Sequence, residues 1–175
     1  ITDVTSGYEL VSRLQDLLND EGIHVVRLPA NDENNPYPIS AKIVVDRETD
    51  VVLEPMGEGP VYFHLSSGEE FLEIKPEALT GKITIRNLTL LNVKKGIHVQ
   101  YGEGTGWVHI TGNDMRARLN GEGNSALSYL IENHYDYTAI TQNTLTTEEP
   151  NNGNDGRGIG INSDGACSFV AYNYL

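Results

Sequence analysis

Three positions recur along the chain at a spacing that fixes what it can fold into. Written as x, x+2 and x+5, they read Val26, Leu28, Asn31; Val51, Leu53, Met56; and Ile83, Ile85, Leu88. The series continues Val108, Ile110, Asn113; Thr138, Ile140, Asn143; and Ser168, Val170, Asn173. Successive sets lie 25, 32, 25, 30 and 30 residues apart. The middle position is always Leu, Ile or Val, and position x+7 adds Leu90, Met115, Leu145 and Leu175. Apolar residues alternate with polar ones inside each set, which is the period of a half-buried strand. A repeat of this length is the signature of stacked turns, each burying its apolar face only against the turns above and below. The clearest turn is Ile83 to Gln100, ITIRNLTLLNVKKGIHVQ, which reads as strand, bend, strand, turn, strand.

The third column adds chemistry to the pattern. Asn113, Asn143 and Asn173 share one position. A side-chain amide donates and accepts, so stacked asparagines can bond one another and the bent backbone beside them. Buried without such bonds they would be costly. The run h-x-h-x-x-N, followed by a G-h-x-h strand, resembles the right-handed parallel β-helices of the pectate-lyase-like superfamily, whose rungs carry stacked Asn at the bend between two strands. Met56 and Leu88 stand where that pattern would place Asn. The resemblance covers the chain from Val25 onward. It implies an all-β fold, a right-handed parallel β-helix of about six rungs.

Residues 1–24 read as a capping segment and residues 25–175 as the coil. Ser6 and Glu9 fit a capping box for a helix over Ser6 to Asp20. Leu10, Val11, Leu14, Leu17 and Leu18 fall on one face of it, and Gly22 can end it. Such a helix would cover the open end of the coil. The run LVSRLQDLLNDEGIHVVRLPAN, with YPISAKIVV and VVLEPMGEG, resembles the entry segment of the same β-helix families. Ile39 to Val45 reads as one strand. The chain starts at Ile, and its last strand, Phe169 to Leu175, is followed by no cap, so the sequence reads as part of something longer. Two polar loops, RLNGEGNS and TTEEPNNGNDGRG, fall between the same two strands of successive rungs. Loops that lengthen on one side of a solenoid often build its binding face.

Charge narrows the partners. Twelve Lys and Arg against 25 Asp and Glu give a net charge of −13. Nucleic-acid binding rests on neutralising phosphates, so it is not expected. No apolar run is long enough for membrane insertion. An acidic surface can hold divalent cations or simply stay solvated. The single cysteine, Cys167, excludes an internal disulfide and reads as a small buried residue of the last rung. The five histidines show no H-x-x-x-H spacing, and no nucleophile elbow, P-loop or dinucleotide fingerprint occurs.

The resemblance implies a groove on the face built from GIHVQ, ALSYLIE and GIGINSD. His98, Gln100 and Asn162 would face outward there as substrate-binding residues. Tyr135 and Tyr137, with His134 and Tyr129, make an aromatic group of the kind that stacks on sugar rings. A uronate lyase needs a cation, usually Ca²⁺ held by oxygens, and a base. Glu148, Glu149 and Asp155 are the candidate Ca²⁺ ligands, and Arg157 and Lys95 the candidate catalytic bases. The run Asn162-Ser163-Asp164-Gly165 resembles the N-T-D-G motif of polygalacturonases, whose Asp pair and G-H-G motifs this chain lacks. Three readings of function remain. One is an extracellular or cell-surface protein that binds or cleaves acidic polysaccharide. Another is a non-catalytic surface, adhesive or filament-forming solenoid that associates head to tail. A fragment of a phage tail-spike is a third.

Overall fold

Side chains that alternate in and out along short strands can close a core only by stacking strand on strand. The computed structural model, which describes residues 2–3, 10–66, 70–117, 128–147 and 159–175, has that architecture. In chain order, β1 (Thr2–Asp3) and α1 (Leu10–Asn19) precede β2 (Val25–Leu28), β3 (Tyr37–Ile39) and β4 (Ile43–Val45). Then come β5 (Val51–Pro55), β6 (Tyr62–Leu65), β7 (Glu70–Ile74), β8 (Lys82–Arg86), β9 (Thr89–Val93) and β10 (Lys95–Val99). The rest are β11 (Trp107–Thr111), β12 (Asp114–Ala117), β13 (Ser128–Asn133), β14 (Thr138–Thr141), β15 (Thr144–Thr147), β16 (Ile159–Ser163) and β17 (Phe169–Ala171). Each strand from β2 onward pairs in parallel with its counterpart one circuit away. The sheets are β1-β2-β5-β8-β11-β14-β17, β15-β12-β9-β6-β3 and β16-β13-β10-β7-β4. The molecule is a parallel β-solenoid of about four turns with three parallel sheets.

The register follows the sequence repeat in all but its first set. Val51, Ile83, Val108 and Thr138 lie opposite one another, as do Leu53, Ile85, Ile110, Ile140 and Val170. Val26, however, faces Leu53 rather than Val51. A shift of two residues keeps every side chain on the same face, so apolar alternation cannot detect it. Asn31 therefore lies outside the Asn column. Its Oδ1 accepts from the Tyr62 N–H at 2.6 Å, and its Nδ2 donates to the Tyr62 carbonyl at 2.9 Å.

Inside the bend the asparagines form a ladder. Asn113 Nδ2 donates to Asn143 Oδ1, and Asn143 Nδ2 to Asn173 Oδ1, each at 3.0 Å. The same amides reach back to the carbonyls of Ile85, Ile110 and Ile140 at 2.9–3.1 Å. The ladder ends at Leu88, whose backbone N–H donates to Asn113 Oδ1. One residue before each of these positions the backbone is left-handed, at Asn87, Gly112, Gln142 and Tyr172, with φ between 57° and 67°. At Gly112 an added Cβ would meet the Asn87 side-chain oxygen, which would have to move aside.

At the other end, α1 satisfies an open strand edge. Leu14 and Leu18 are fully buried beneath it. Gln15 Oε1 accepts from the Val44 N–H at 3.0 Å, and Asn19 Nδ2 donates to the Val44 carbonyl at 2.8 Å. An unpaired edge of β4 is thus blunted by side-chain amides. Ser6 and Glu9 of the expected capping box lie outside the described residues. Two expectations are revised. Ile39 to Val45 is two strands, because the chain turns a corner at 40–42 to pass from one sheet to the next. Cys167 is exposed, since it sits in the turn before β17 and not in the strand. The expected helix is described over Leu10–Asn19, and its expected first turn from Ser6 lies outside the described residues. The two polar loops do join equivalent strands, β12 to β13 and β15 to β16, although 118–127 and 148–158 lie outside the described residues.

Candidate functional site

The outward face of the β4–β16 sheet gathers charged, amide and imidazole side chains into two columns. Register places Val44, Glu73, His98, Glu132 and Asn162 opposite one another on successive strands. Two residues further along each strand stand Gln100, His134 and Asp164, tied by His134 N–H to the Val99 carbonyl at 2.9 Å and Asp164 N–H to the Asn133 carbonyl at 3.1 Å. Parallel strands lie about 4.8 Å apart, so each column is a ladder of polar groups at that rise.

Ion pairs run across the columns. Lys95 Nζ lies 3.2 Å from Glu70 Oε1 and 3.2 Å from Glu132 Oε2. Lys42 pairs closely with Glu73 and lies 3.3 Å from Glu70. His134 Nδ1 is 2.8 Å from Asp164 Oδ1, and its Nε2 is 3.4 Å from Glu132 Oε1. Tyr101, 70 % exposed, stacks on the His134 ring with centroids 4.7 Å apart and donates its hydroxyl to Asp164 Oδ2 at 3.3 Å. His98 meets His134 edge-on at 5.7 Å.

These contacts set the charge states. Burial pulls the Lys95 ammonium down, but hydrogen bonds to Glu132 and Glu70 outweigh it and hold the group above the usual lysine range. A lysine in that state is a fixed positive charge and a poor proton acceptor. Burial raises the Glu132 carboxyl, and the bond to Lys95, with the two histidines, brings it below the ordinary carboxylate range. Burial pushes the His98 imidazole below the ordinary histidine value, which favours its neutral form. The bond to His134 lowers Asp164, and the Asp164 charge raises the Tyr101 phenol.

Of the residues singled out from sequence, Lys95, His98, Gln100 and Asn162 come together on this face. Tyr135 does not. Along β13 and just past it the side chains alternate, so Glu132 and His134 face out while Asn133 and Tyr135 face in. Tyr135 is 1 % exposed and donates its hydroxyl to the Gly106 carbonyl at 2.9 Å. Burial pushes its phenol up to about 12. Tyr137 packs against Tyr135 and Trp107, each at 5.8 Å, beside the seven-stranded sheet. Arg157, Glu148, Glu149 and Asp155 lie outside the described residues. Sequence reading passed over Tyr101, Glu70, Glu73 and Glu132. The E-x-H of Glu132 and His134, one circuit from the H-x-Q of His98 and Gln100, was the available signal.

A second polar cluster lies on the seven-stranded sheet. Glu54 is held between Arg27, at 2.8 Å, and Arg86, beside a cavity of about 300 Å³ that Met56 and Asn87 help to line. Comparison of the chain with protein-family models, curated proteins and solved structures finds no match.

Proposed function

We propose that the protein is an extracellular or cell-surface solenoid that binds acidic polysaccharide along the outward face of the β4–β16 sheet. The observation that carries this reading is the exposed Tyr101 ring, braced against His134 and Asp164 beside two ladders of hydrogen-bonding side chains. A braced aromatic face stacks on a sugar ring at little conformational cost, and regularly spaced polar groups match the repeat of a polymer. Binding is favoured over cleavage because Lys95 is held as an ammonium. Its charge suits a uronate carboxylate better than proton abstraction does. The Ca²⁺ part of the reading rests on the acidic residues Glu148, Glu149 and Asp155. A right-handed winding belongs to the same proposal, supported by the strong preference of parallel crossovers for that hand. So does a count of six rungs on β2, β5, β8, β11, β14 and β17.

Affinity electrophoresis through gels containing uronate polysaccharides, with Ca²⁺ and with chelator, tests the reading. The protein is expected to be retarded, and Tyr101→Ala to lose most of that retardation while keeping its circular dichroism spectrum. Ultraviolet absorbance of unsaturated sugar ends in the same mixtures checks for elimination, and a flat trace is expected. Migration unaffected by every polysaccharide would sink the proposal. It would leave the non-catalytic assembling solenoid, read by sedimentation at rising concentration.

A further inference from the structure

The same face holds an arrangement that sugar binding does not require. His98, Glu132 and His134 offer ligand atoms that all lie within 4.8 Å of one another. They come from one strand pair. His98 and Glu132 are direct partners across β10 and β13, and His134 is two residues beyond Glu132, on the same side of the chain. Side chains at these three points of a parallel sheet stand on one face as neighbours.

Four observations point to a ligand. First, His134 Nδ1 is committed to Asp164 Oδ1 at 2.8 Å. A ring whose Nδ1–H is held by a carboxylate presents the Nε2 lone pair on its other side, the support that metal-binding histidines commonly have. Second, that Nε2 lies 3.4 Å from Glu132 Oε1. Two ligands at about 2.0–2.1 Å from a tetrahedral ion stand roughly 3.3 Å apart, so this pair is already spaced for one. Third, Lys95 occupies the other oxygen of Glu132, Oε2, at 3.2 Å, which leaves Oε1 for the ion. Fourth, the side chains of His134 and Glu132 are only 17 % and 18 % exposed, so they are partly shielded from water without being sealed from it. A neighbouring group of Glu70, Glu73 and His98 is also close enough to share an ion. Its carboxylates are engaged by Lys42 and Lys95, so His98 is better placed to serve with Glu132.

We infer that His98, Glu132 and His134 form a three-ligand site for a divalent transition-metal ion of the Zn²⁺ class, with Asp164 as the positioning residue for His134 and a fourth position open to solvent. Two imidazoles and one carboxylate suit a borderline ion better than Ca²⁺, which takes six or more oxygens. The inference needs no sugar and is independent of the polysaccharide reading.

Calorimetric titration of the whole chain with ZnCl₂, and Co²⁺ absorbance in parallel, tests the site. His98→Ala and His134→Ala are each expected to weaken binding at least about tenfold. Asp164→Asn is expected to weaken it by about 10-fold to 100-fold without removing a ligand. Lys95→Met, which lifts a competing charge from Glu132, is expected to tighten it. A variant with Glu148→Gln, Glu149→Gln and Asp155→Asn should bind as the parent does, separating this site from the acidic loop. A measurement on the unaltered chain guards against misfolded variants. Bound Co²⁺ should shift the ring protons of His98 and His134 and spare those of His24, His64 and His109. No heat beyond dilution, an unchanged affinity in His98→Ala, or paramagnetic shifts centred on other histidines would overturn the inference.

Discussion

Asn143 shows how one side chain can serve two turns at once. Its Oδ1 accepts from both the backbone N–H and the side-chain amide of Asn113, and its own amide reaches Ile110 and Asn173. It is 1 % exposed, so none of these groups can turn to water instead. Replacing it by alanine strands two donors of Asn113 and the Ile110 carbonyl. At about 1–3 kcal/mol for each unsatisfied buried group, partly relieved by relaxation, Asn143→Ala should cost about 3 kcal/mol. Urea unfolding measures this, and a loss under about 1 kcal/mol would mean that the ladder is ornamental. Leu88 continues the same column without an amide because it stands at the ladder's first step. Only its backbone N–H is needed there, and Asn113 accepts it.

For the elements, the junction of α1 with the coil depends on a buried arginine from the turn after β4. Arg47 is 2 % exposed, and its Nη1 donates to the carbonyls of Leu18, Asp20 and Ile23 at 2.9–3.3 Å. The first two stand at the helix end, where no helical N–H follows to pair with them, and the third lies in the connection to β2. Its Nε and Nη2 hold Thr49, and Thr49 in turn bonds Glu21. Burial pushes the guanidinium below its ordinary value, and Glu21 partly restores it. Arg47→Met keeps the bulk and removes every donor. It should cost about 2–4 kcal/mol and speed hydrogen exchange in α1 before it does so in β11 or β14. Uniform acceleration across the chain would show instead that helix and coil unfold as one unit.

On the scale of the whole molecule, a solenoid is held by contacts between neighbouring turns, and charge can be part of that contact. Arg27, Glu54 and Arg86 lie on β2, β5 and β8, so this one ion cluster ties three successive strands of a sheet. Burial raises the Glu54 carboxyl, but the two arginines more than offset it, and its value in the fold lies below the ordinary 4.5. A carboxylate lowered on folding stabilises fully above its unfolded value, and that gain is lost as pH falls through the folded value. Glu54→Gln should therefore cost about 1–2 kcal/mol near neutral pH, a figure kept low because the arginine heads are 39 % and 47 % exposed. The difference from the parent should shrink steadily below pH 4.5 and vanish in strong acid. Paired thermal melts across that range check it, and a difference independent of pH would assign the loss to packing.

By itself, the sequence determined the coil, its period and its buried columns. Leu53, Ile85, Ile110, Ile140 and Val170 repeat at a spacing that only stacked parallel strands can use, and Asn113, Asn143 and Asn173 mark the bend. It also brought His98, Gln100 and Asn162 to one face, because in-and-out alternation within a strand is a local property, whereas Lys95, three residues before His98, joins them through its ion pairs with Glu70 and Glu132. Alternation is blind to a shift of two residues, which is why the place of Val26 opposite Leu53, and of Asn31 outside the ladder, was decided by the fold. Tertiary structure alone decided which residues meet across strands. Tyr101 reaches His134 from the neighbouring circuit, and Asp164, which reads as half of an ordinary turn pair, closes on the same imidazole. Those contacts join residues 30 to 63 positions apart, and their geometry comes from the register and rise of the sheet, which no local pattern of residues records.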